Sequence, residues 1–354
     1  MPKIIIVHAS FGQGHKQAAL AISSHLKAPC YDLLDFTFGF VKKIQSASYL
    51  WITNNFPFLW KLLFNISQHK TVISILNIFN LVTYFSFIGY VKKTKPDIII
   101  TTHFFPPHLV NIIKKRLKIM QISVVTDIKP HRLWANKGVD KFLVATNQTK
   151  KWLTELGISK QKIIPGYVSI RKGFLKKESR ENLYKKFNLE TTKQTILFVS
   201  SASGNFGFLE KALKSLNQKF NLLIIYGKNS KLKKYLEKAE LKNVKFFPFY
   251  QKIWELISLS ALIVTKPGGL TVFEGGYKKK PFVFTHFIPG QEEDNMIFLK
   301  KRKIAEIAFN QQTLVESINK LTKKAENLKN NYPLDFQDIR KPLDKIINNY
   351  DKNS

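Results

Sequence analysis

The chain has 354 residues and a formal net charge of +33, from 57 Lys and Arg against 24 Asp and Glu. That length suits two domains, and 44% hydrophobic residues are enough for ordinary cores. The single cysteine, Cys30, excludes a disulfide framework or a cysteine-based zinc site within the chain, which suits a cytoplasmic protein. The basic excess calls for an acidic counterpart, namely nucleic acid, an anionic membrane surface or a nucleotide substrate. One nucleotide needs only a few cations, and no nucleic-acid motif is present, so the membrane is the expected partner and nucleic acid is not.

Lys3–His8 predicts a first strand, because the apolar core of the N-terminus is too short for a signal peptide. Gly14–Lys27 predicts a helix, with Ala18, Ala19, Ile22 and Leu26 at helical spacing. Between them lies the glycine loop Gly12-Gln13-Gly14-His15. A dinucleotide fingerprint needs a third glycine at position 17, which is Gln. Over residues 36–93 the rhythm changes to a helical insertion mixing aromatics with lysines, among them Phe36, Phe38, Phe40, Lys42, Lys43, Trp51, Phe58, Trp60 and Lys61. That mixture suits lipid headgroups or a large helical core. Thr71–Val91 is uncharged and long enough to span a bilayer. Its Thr, Ser and Asn residues lower its hydropathy, so a buried or membrane-surface helix is expected.

Asp97–Thr102, Ile119–Thr126 and Lys141–Thr146 predict strands, and Pro107–Leu117 and Asn147–Leu156 predict helices. This βα order implies a parallel sheet with helices on both faces. His103 and Asp127 fall at strand ends, where α/β proteins place functional groups; Asp127 also suits a helix N-cap. The glycines and lysines of Gly166–Phe174 mark a join that could serve as a hinge. A second sheet is expected from Thr195–Val199, Leu222–Tyr226, Val244–Phe247, Ala261–Thr265 and Pro281–Thr285. Small residues after its first strand, among them Ser201 and Gly204, let the backbone approach a ligand. Phe249 and Tyr250 precede a helix at Trp254–Leu259.

The turn Lys266-Pro267-Gly268-Gly269-Leu270-Thr271 joins a buried strand to a helix start. Free backbone N–H groups and the positive helix end favour a phosphate there. Pro289–Asn295 reads as a second loop, dense in groups that can hydrogen-bond sugar hydroxyls. The tail from Leu314 is helical and lysine-rich, interrupted by Pro333 and Pro342.

The order KPGGLTxxEG (266–275) then PGQEEDN (289–295), with the GxGH loop (12–15) and a TDxxxHxxW pattern (126–134), resembles a known family. It is similar to the monogalactosyldiacylglycerol synthases and processive diacylglycerol glucosyltransferases, of GT-B fold. The resemblance implies an α/β protein of two Rossmann-like domains with a cleft between them. Residues 1–168 would form the acceptor and membrane-facing domain and 169–332 the nucleotide-sugar domain. Residues 333–354 would form a C-terminal helix packing back on the first domain.

The same resemblance implies inverting transfer of a hexose, glucose being expected, from a UDP-sugar to diacylglycerol. The protein would sit peripherally on the anionic cytoplasmic face of the membrane. It makes His15 the catalytic base, assisted by Asp127, and places Gly14, His103 and His131 at the acceptor. For the nucleotide sugar it points to Ser201, Gly204, Phe249, Tyr250, Lys266, Gly268, Gly269, Leu270, Thr271, Glu274, Gln291, Glu292 and Asn295. Glu274 would take both ribose hydroxyls, and Phe249 and Tyr250 would cap the uracil. Serines replace two family glycines in the 200–207 loop. No DxD-type motif is present, and neither a cofactor nor a metal is expected.

Two other readings stand beside this one. The first is a UDP-N-acetylglucosamine transferase acting on a polyprenyl-linked peptidoglycan precursor, against which the 126–134 pattern argues. The second is a non-catalytic basic protein that binds membranes or nucleic acid.

Overall fold

The structure is a computed structural model that describes residues 2–200 and 207–351; the side chains of Gln45, Ser46, Tyr49, Leu50, Gln291 and Asp351 lie outside the description. It divides into two units, residues 1–172 with 289–291 and 336–354, and residues 173–288 with 292–335. Each unit is built on a six-stranded parallel sheet.

In the first unit the strands are β1 (Ile4–His8), β2 (Cys30–Asp32), β3 (Ile98–Thr101), β4 (Met120–Val124), β5 (Lys141–Val144) and β6 (Ile163–Pro165), ordered β2-β1-β3-β4-β5-β6. The isoleucine runs of β1 and β3 suit a sheet covered on both faces. Alternation along the strands sorts their side chains into two layers. Ile5, Val7 and Ile99 pack in one layer with Leu109, Val110 and Ile113. Ile6, Ile98 and Ile100 pack in the other with Ala19 and Ile22. The helices are α1 (Gln13–Leu26), then the insertion α2 (Gly39–Asn55), α3 (Pro57–Ile66), α4 (Lys70–Thr83) and α5 (Phe85–Thr94), then α6 (Phe105–Leu117) and α7 (Asn147–Glu155). A short strand, β7 (Tyr167–Val168), follows β6.

The insertion corrects one expectation. The uncharged run Thr71–Val91 is not one helix: it breaks at Tyr84, and α4 and α5 meet at 65°. Tyr84 is fully buried and joins Phe87, Ile88 and Val91 in the core, which anchors α5. The other helices of the insertion are poorly covered. No residue of α3 is buried, and Phe58 is 82% exposed. On α4, Ile75, Ile78, Phe79 and Val82 are exposed. Among the described residues no single helix is long and apolar enough to cross a membrane, although the bent pair α4 and α5 passes by length and composition together.

The second unit begins with α8 (Arg180–Phe187). It continues through β8 (Thr195–Val199), α9 (Gly207–Lys219), β9 (Asn221–Ile225), α10 (Ser230–Lys238), β10 (Val244–Phe247), α11 (Ile253–Leu259) and β11 (Leu262–Thr265). It ends with α12 (Gly269–Tyr277), β12 (Phe282–Phe284), α13 (Gln291–Lys301), β13 (Ala305–Ile307) and α14 (Gln311–Asn330). The sheet order is β10-β9-β8-β11-β12-β13. Gly275 is required by close packing: a Cβ there would lie 2.7 Å from both Ile263 and Phe282, so only glycine lets α12 lie this near β11 and β12. Residues 291–295, expected as loop, form the first turn of α13.

The tail returns to the first unit. β14 (Gln337–Asp338) pairs with β7, and α15 (Arg340–Asp351) sets Leu343, Ile346 and Ile347 against Ile6, Ala19 and Ile22. Burying each of these aliphatic side chains contributes roughly 1.5–3 kcal/mol.

Candidate active site

In the first unit the strand ends bring His15, Thr102 and Thr126 together. β1 ends at His8, and Gly12 enters α1 in extended conformation, which places His15 in the first turn. Its Nδ1 lies 2.7 Å from the carbonyl oxygen of Thr102, just past β3, and 2.9 Å from Oγ1 of Thr126, just past β4. A carbonyl only accepts, so Nδ1 carries the proton and Nε2 keeps its lone pair. Burial lowers the pKa of His15, and the Asp127 charge and the Thr102 carbonyl oppose that shift. The ring is therefore neutral at physiological pH and able to take a proton.

Asp127 is buried and accepts a hydrogen bond from Nε1 of the buried Trp134 at 3.2 Å. This contact gives the Asp and Trp of the TDxxxHxxW pattern a shared purpose. Asp127 does not cap the helical turn that follows. The cap of the short turn Arg132–Trp134 is His131, whose Nδ1 accepts the Leu133 N–H at 3.1 Å. Nε2 of His131 therefore carries the proton and donates to Ser67 Oγ at 3.0 Å. Burial lowers the pKa of His131 to about 4. With both ring nitrogens engaged inside the chain, His131 is a pin between α3 and this loop.

His103 lies edge-on to His15, with ring centroids 4.7 Å apart, inside a nest of Phe11, Phe104 and Phe105. Burial holds its pKa well below the usual value. Gly14 is in the first turn of α1, beside His15 and half-buried.

In the second unit, Gly268 is the N-cap of α12, with no side-chain cap and no acidic residue in the first turn. Gly269, Leu270 and Thr271 form that turn, and its N–H groups favour an anion. Lys266 pairs with Glu292 at 2.5 Å, Glu292 accepts the Ile288 N–H at 2.8 Å, and Asn295 Nδ2 donates to the Pro267 carbonyl at 3.0 Å. The 266–271 turn and residues 292–295 are thus braced against each other, with Glu292 and Asn295 buried. Glu274 is the sixth residue of α12 and only 1% exposed, a turn deeper than a helix start.

Phe249 and Tyr250 part company. Tyr250 donates to Glu255 at 2.5 Å and packs on Phe187 and Phe247, whereas Phe249 is 69% exposed. Burial and Glu255 raise the Tyr250 pKa. Ser201 and Gly204, and the side chain of Gln291, lie outside the described residues. Among the described residues no group of three or more His, Cys, Asp or Glu could hold a metal ion.

Sequence reasoning passed over Thr102 and Thr126, although both sit in quoted strand-end motifs, because their contribution is a backbone carbonyl and a hydroxyl. It also missed Ser67 and Gln68, which contact His131 and Arg132 across 64 positions with no local signal.

Residues 15–166 match the family described as monogalactosyldiacylglycerol (MGDG) synthase, and residues 202–346 match the glycosyltransferase family 28 C-terminal domain. A processive diacylglycerol beta-glucosyltransferase of Bacillus cytotoxicus is 32% identical over 246 residues, 66% of this chain and 63% of that protein. One from Bacillus cereus is 26% identical over 94% of this chain and 90% of its own length. The fold is similar to that of Anabaena HepE in complex with UDP (TM-score 0.56, 14% identity, 99% and 100% of the two chains). It is similar as well to Acinetobacter baumannii MurG (TM-score 0.55, 15% identity, 98% and 99%). With both halves matched in order, the chain belongs to the family of the monogalactosyldiacylglycerol synthases and processive diacylglycerol glucosyltransferases.

Proposed function

We propose that the protein is an inverting, metal-independent glycosyltransferase that moves a hexose, glucose in our reading, from a UDP-sugar to diacylglycerol. The observation that carries this reading is His15, whose Nδ1 is taken by the Thr102 carbonyl and whose Nε2 is left as the base. The names of the Bacillus relatives supply the acceptor and the sugar. The acceptor hydroxyl gives its proton to Nε2 while its oxygen bonds to the anomeric carbon. The bond from that carbon to the diphosphate oxygen breaks, and UDP leaves. Negative charge developing on the diphosphate is met by the N–H groups of the α12 first turn. Asp127 stabilises the imidazolium by its charge. Glu274 holds the ribose, Phe249 covers the base, and the 291–295 turn carries the sugar. The MGDG-synthase match over residues 15–166 favours diacylglycerol over a polyprenyl-linked acceptor.

The protein binds the cytoplasmic face of the membrane peripherally in this reading. Between Asp35 and Asp97 the sequence has no acidic residue and seven lysines, and the same stretch carries the exposed apolar residues of α3 and α4. Positive charge beside apolar side chains matches an anionic lipid surface. The test is thin-layer chromatography of lipid made from diacylglycerol with UDP-glucose or UDP-galactose, with and without excess chelator. A glycolipid from UDP-glucose at a rate indifferent to chelator is expected. Transfer to a polyprenyl-linked acceptor alone, or full loss of the rate on chelation, overturns the reading.

A further inference from the structure

α3 is ten residues long and none of them is buried. An isolated helix of that length is marginal in water, where roughly 12–15 residues are needed. Phe58, Leu59, Leu62, Leu63 and Ile66 are exposed, so its order gains most from a surface that accepts apolar side chains. Its C-terminal end, however, is bonded to the loop that carries Asp127. His131 Nε2 donates to Ser67 Oγ at 3.0 Å, and Ser67 in turn donates to the Phe64 carbonyl at 2.8 Å. The Arg132 N–H donates to Gln68 Oε1 at 3.0 Å, and its guanidinium reaches the Gln68 carbonyl at 3.4 Å. The Phe64 and His131 rings meet edge-on at 4.9 Å.

The loop passes the constraint inward. His131 caps the turn 132–134, and Trp134 from that turn holds the Asp127 carboxylate. Asp127 acts on His15 through its charge. Contacts therefore run from the exposed helix as far as Asp127, and the charge of Asp127 covers the last step to the proposed base. A network of this kind carries coupling only if one of its elements has two states, and α3, short and uncovered, is the element of this chain of contacts with the least to hold it in water.

We propose that Ser67 and Gln68 are positioning residues that couple the docking of α3 on a lipid surface to the seat of Asp127 beside His15. Transfer is then faster on diacylglycerol in a bilayer than on dissolved diacylglycerol. This inference rests on the transferase reading above.

The experiment compares the wild type with Ser67→Ala, Ser67→Thr and Gln68→Ala. Each is assayed on diacylglycerol in anionic phospholipid vesicles and on short-chain diacylglycerol below its micelle concentration. UDP affinity and vesicle co-sedimentation are measured in parallel. Ser67→Ala and Gln68→Ala should bind UDP and vesicles like the wild type. The ratio of vesicle to soluble turnover should fall roughly three- to thirtyfold, as expected for substitutions along a coupling path. Ser67→Thr keeps the hydroxyl and should restore the ratio. If Ser67→Ala does not fold, Gln68→Ala tests the same link on its own. A wild-type ratio near one, or a ratio unchanged in the folded variants, overturns the inference and leaves the transferase reading standing. No transfer by the wild type to either acceptor sinks both.

Discussion

Thr102 and His15 grip each other at both ends: the Thr102 carbonyl takes Nδ1 of His15 at 2.7 Å, and the Thr102 hydroxyl donates to the His15 carbonyl at 2.8 Å. A carbonyl cannot be protonated in the working pH range, so the tautomer it selects does not change with pH. The grip joins the first turn of α1 to the end of β3, which fixes the ring as well as its proton. His15→Ala should lower turnover by about two to four orders of magnitude, the usual span for a lost general base. Calorimetric titration should find UDP affinity little changed, since the nucleotide contacts proposed here come from the second unit. Near-normal turnover would move the base to Asp127. Loss of both turnover and affinity would place His15 at the diphosphate.

Three histidines of the candidate site make stability depend on pH. His15, His103 and His131 all have lowered pKa values, with burial the largest cause, and His131 falls to about 4. Above the unfolded value of about 6.5 neither state takes up these protons, and the stability is fully present. Below it the unfolded chain gains protons that the folded chain refuses, so stability is lost as pH falls toward about 4 for His131. Each unit of pKa difference is about 1.4 kcal/mol. Thermal melts should show Tm falling between pH 6.5 and 4.5. His131→Gln, which can still donate to Ser67, should flatten part of that fall. Parallel curves for the two proteins would mean that His131 does not carry the effect.

Glu274 is placed to test the donor half. It lies on α12 beside Gly275, whose missing side chain lets the helix press against β11 and β12. Glu274→Ala should raise the apparent KM for the UDP-sugar about ten- to a hundredfold, the value of roughly 1.5–3 kcal/mol for a charged hydrogen-bond partner. Vesicle binding should be intact. An unchanged KM would remove Glu274 from the site.

Most strands were legible because their apolar runs are continuous and flanked by helical periodicity; Thr195–Val199 and Val244–Phe247 lie where their sequences place them. The three-residue strands β2, β6 and β13 were not, because each forms by pairing with a neighbour and lacks the continuous apolar run that marked β12, equally short, within Pro281–Thr285. Tyr84 breaks the uncharged run for a reason that no local pattern carries: its ring is needed in the core of the first unit. The places of His15, in the first turn of α1, and of Asp127, just past β4, were legible from the motifs that carry them. The inward turn of Tyr250 depends on Glu255, Phe187 and Phe247, which come from three different elements, and position in the sequence did not foretell it.

The membrane reading makes a prediction with two separable parts. The seven lysines between Asp35 and Asp97 act at a distance and are screened by salt, over about 10 Å at 0.1 M. Each cation close to an anionic surface contributes about 1 kcal/mol. The apolar residues of α3 and α4 act by contact, and salt does not weaken them. Co-sedimentation with acidic vesicles should therefore drop in part at high salt, leaving a resistant fraction. Phe58→Ser combined with Val82→Ser should shrink that fraction, because these side chains are 82% and 75% exposed and their replacement removes no core packing. The salt-sensitive part should persist in the double variant. Binding indifferent to both lipid charge and salt would refute the electrostatic part, and an undiminished resistant fraction in the double variant would refute insertion by α3 and α4.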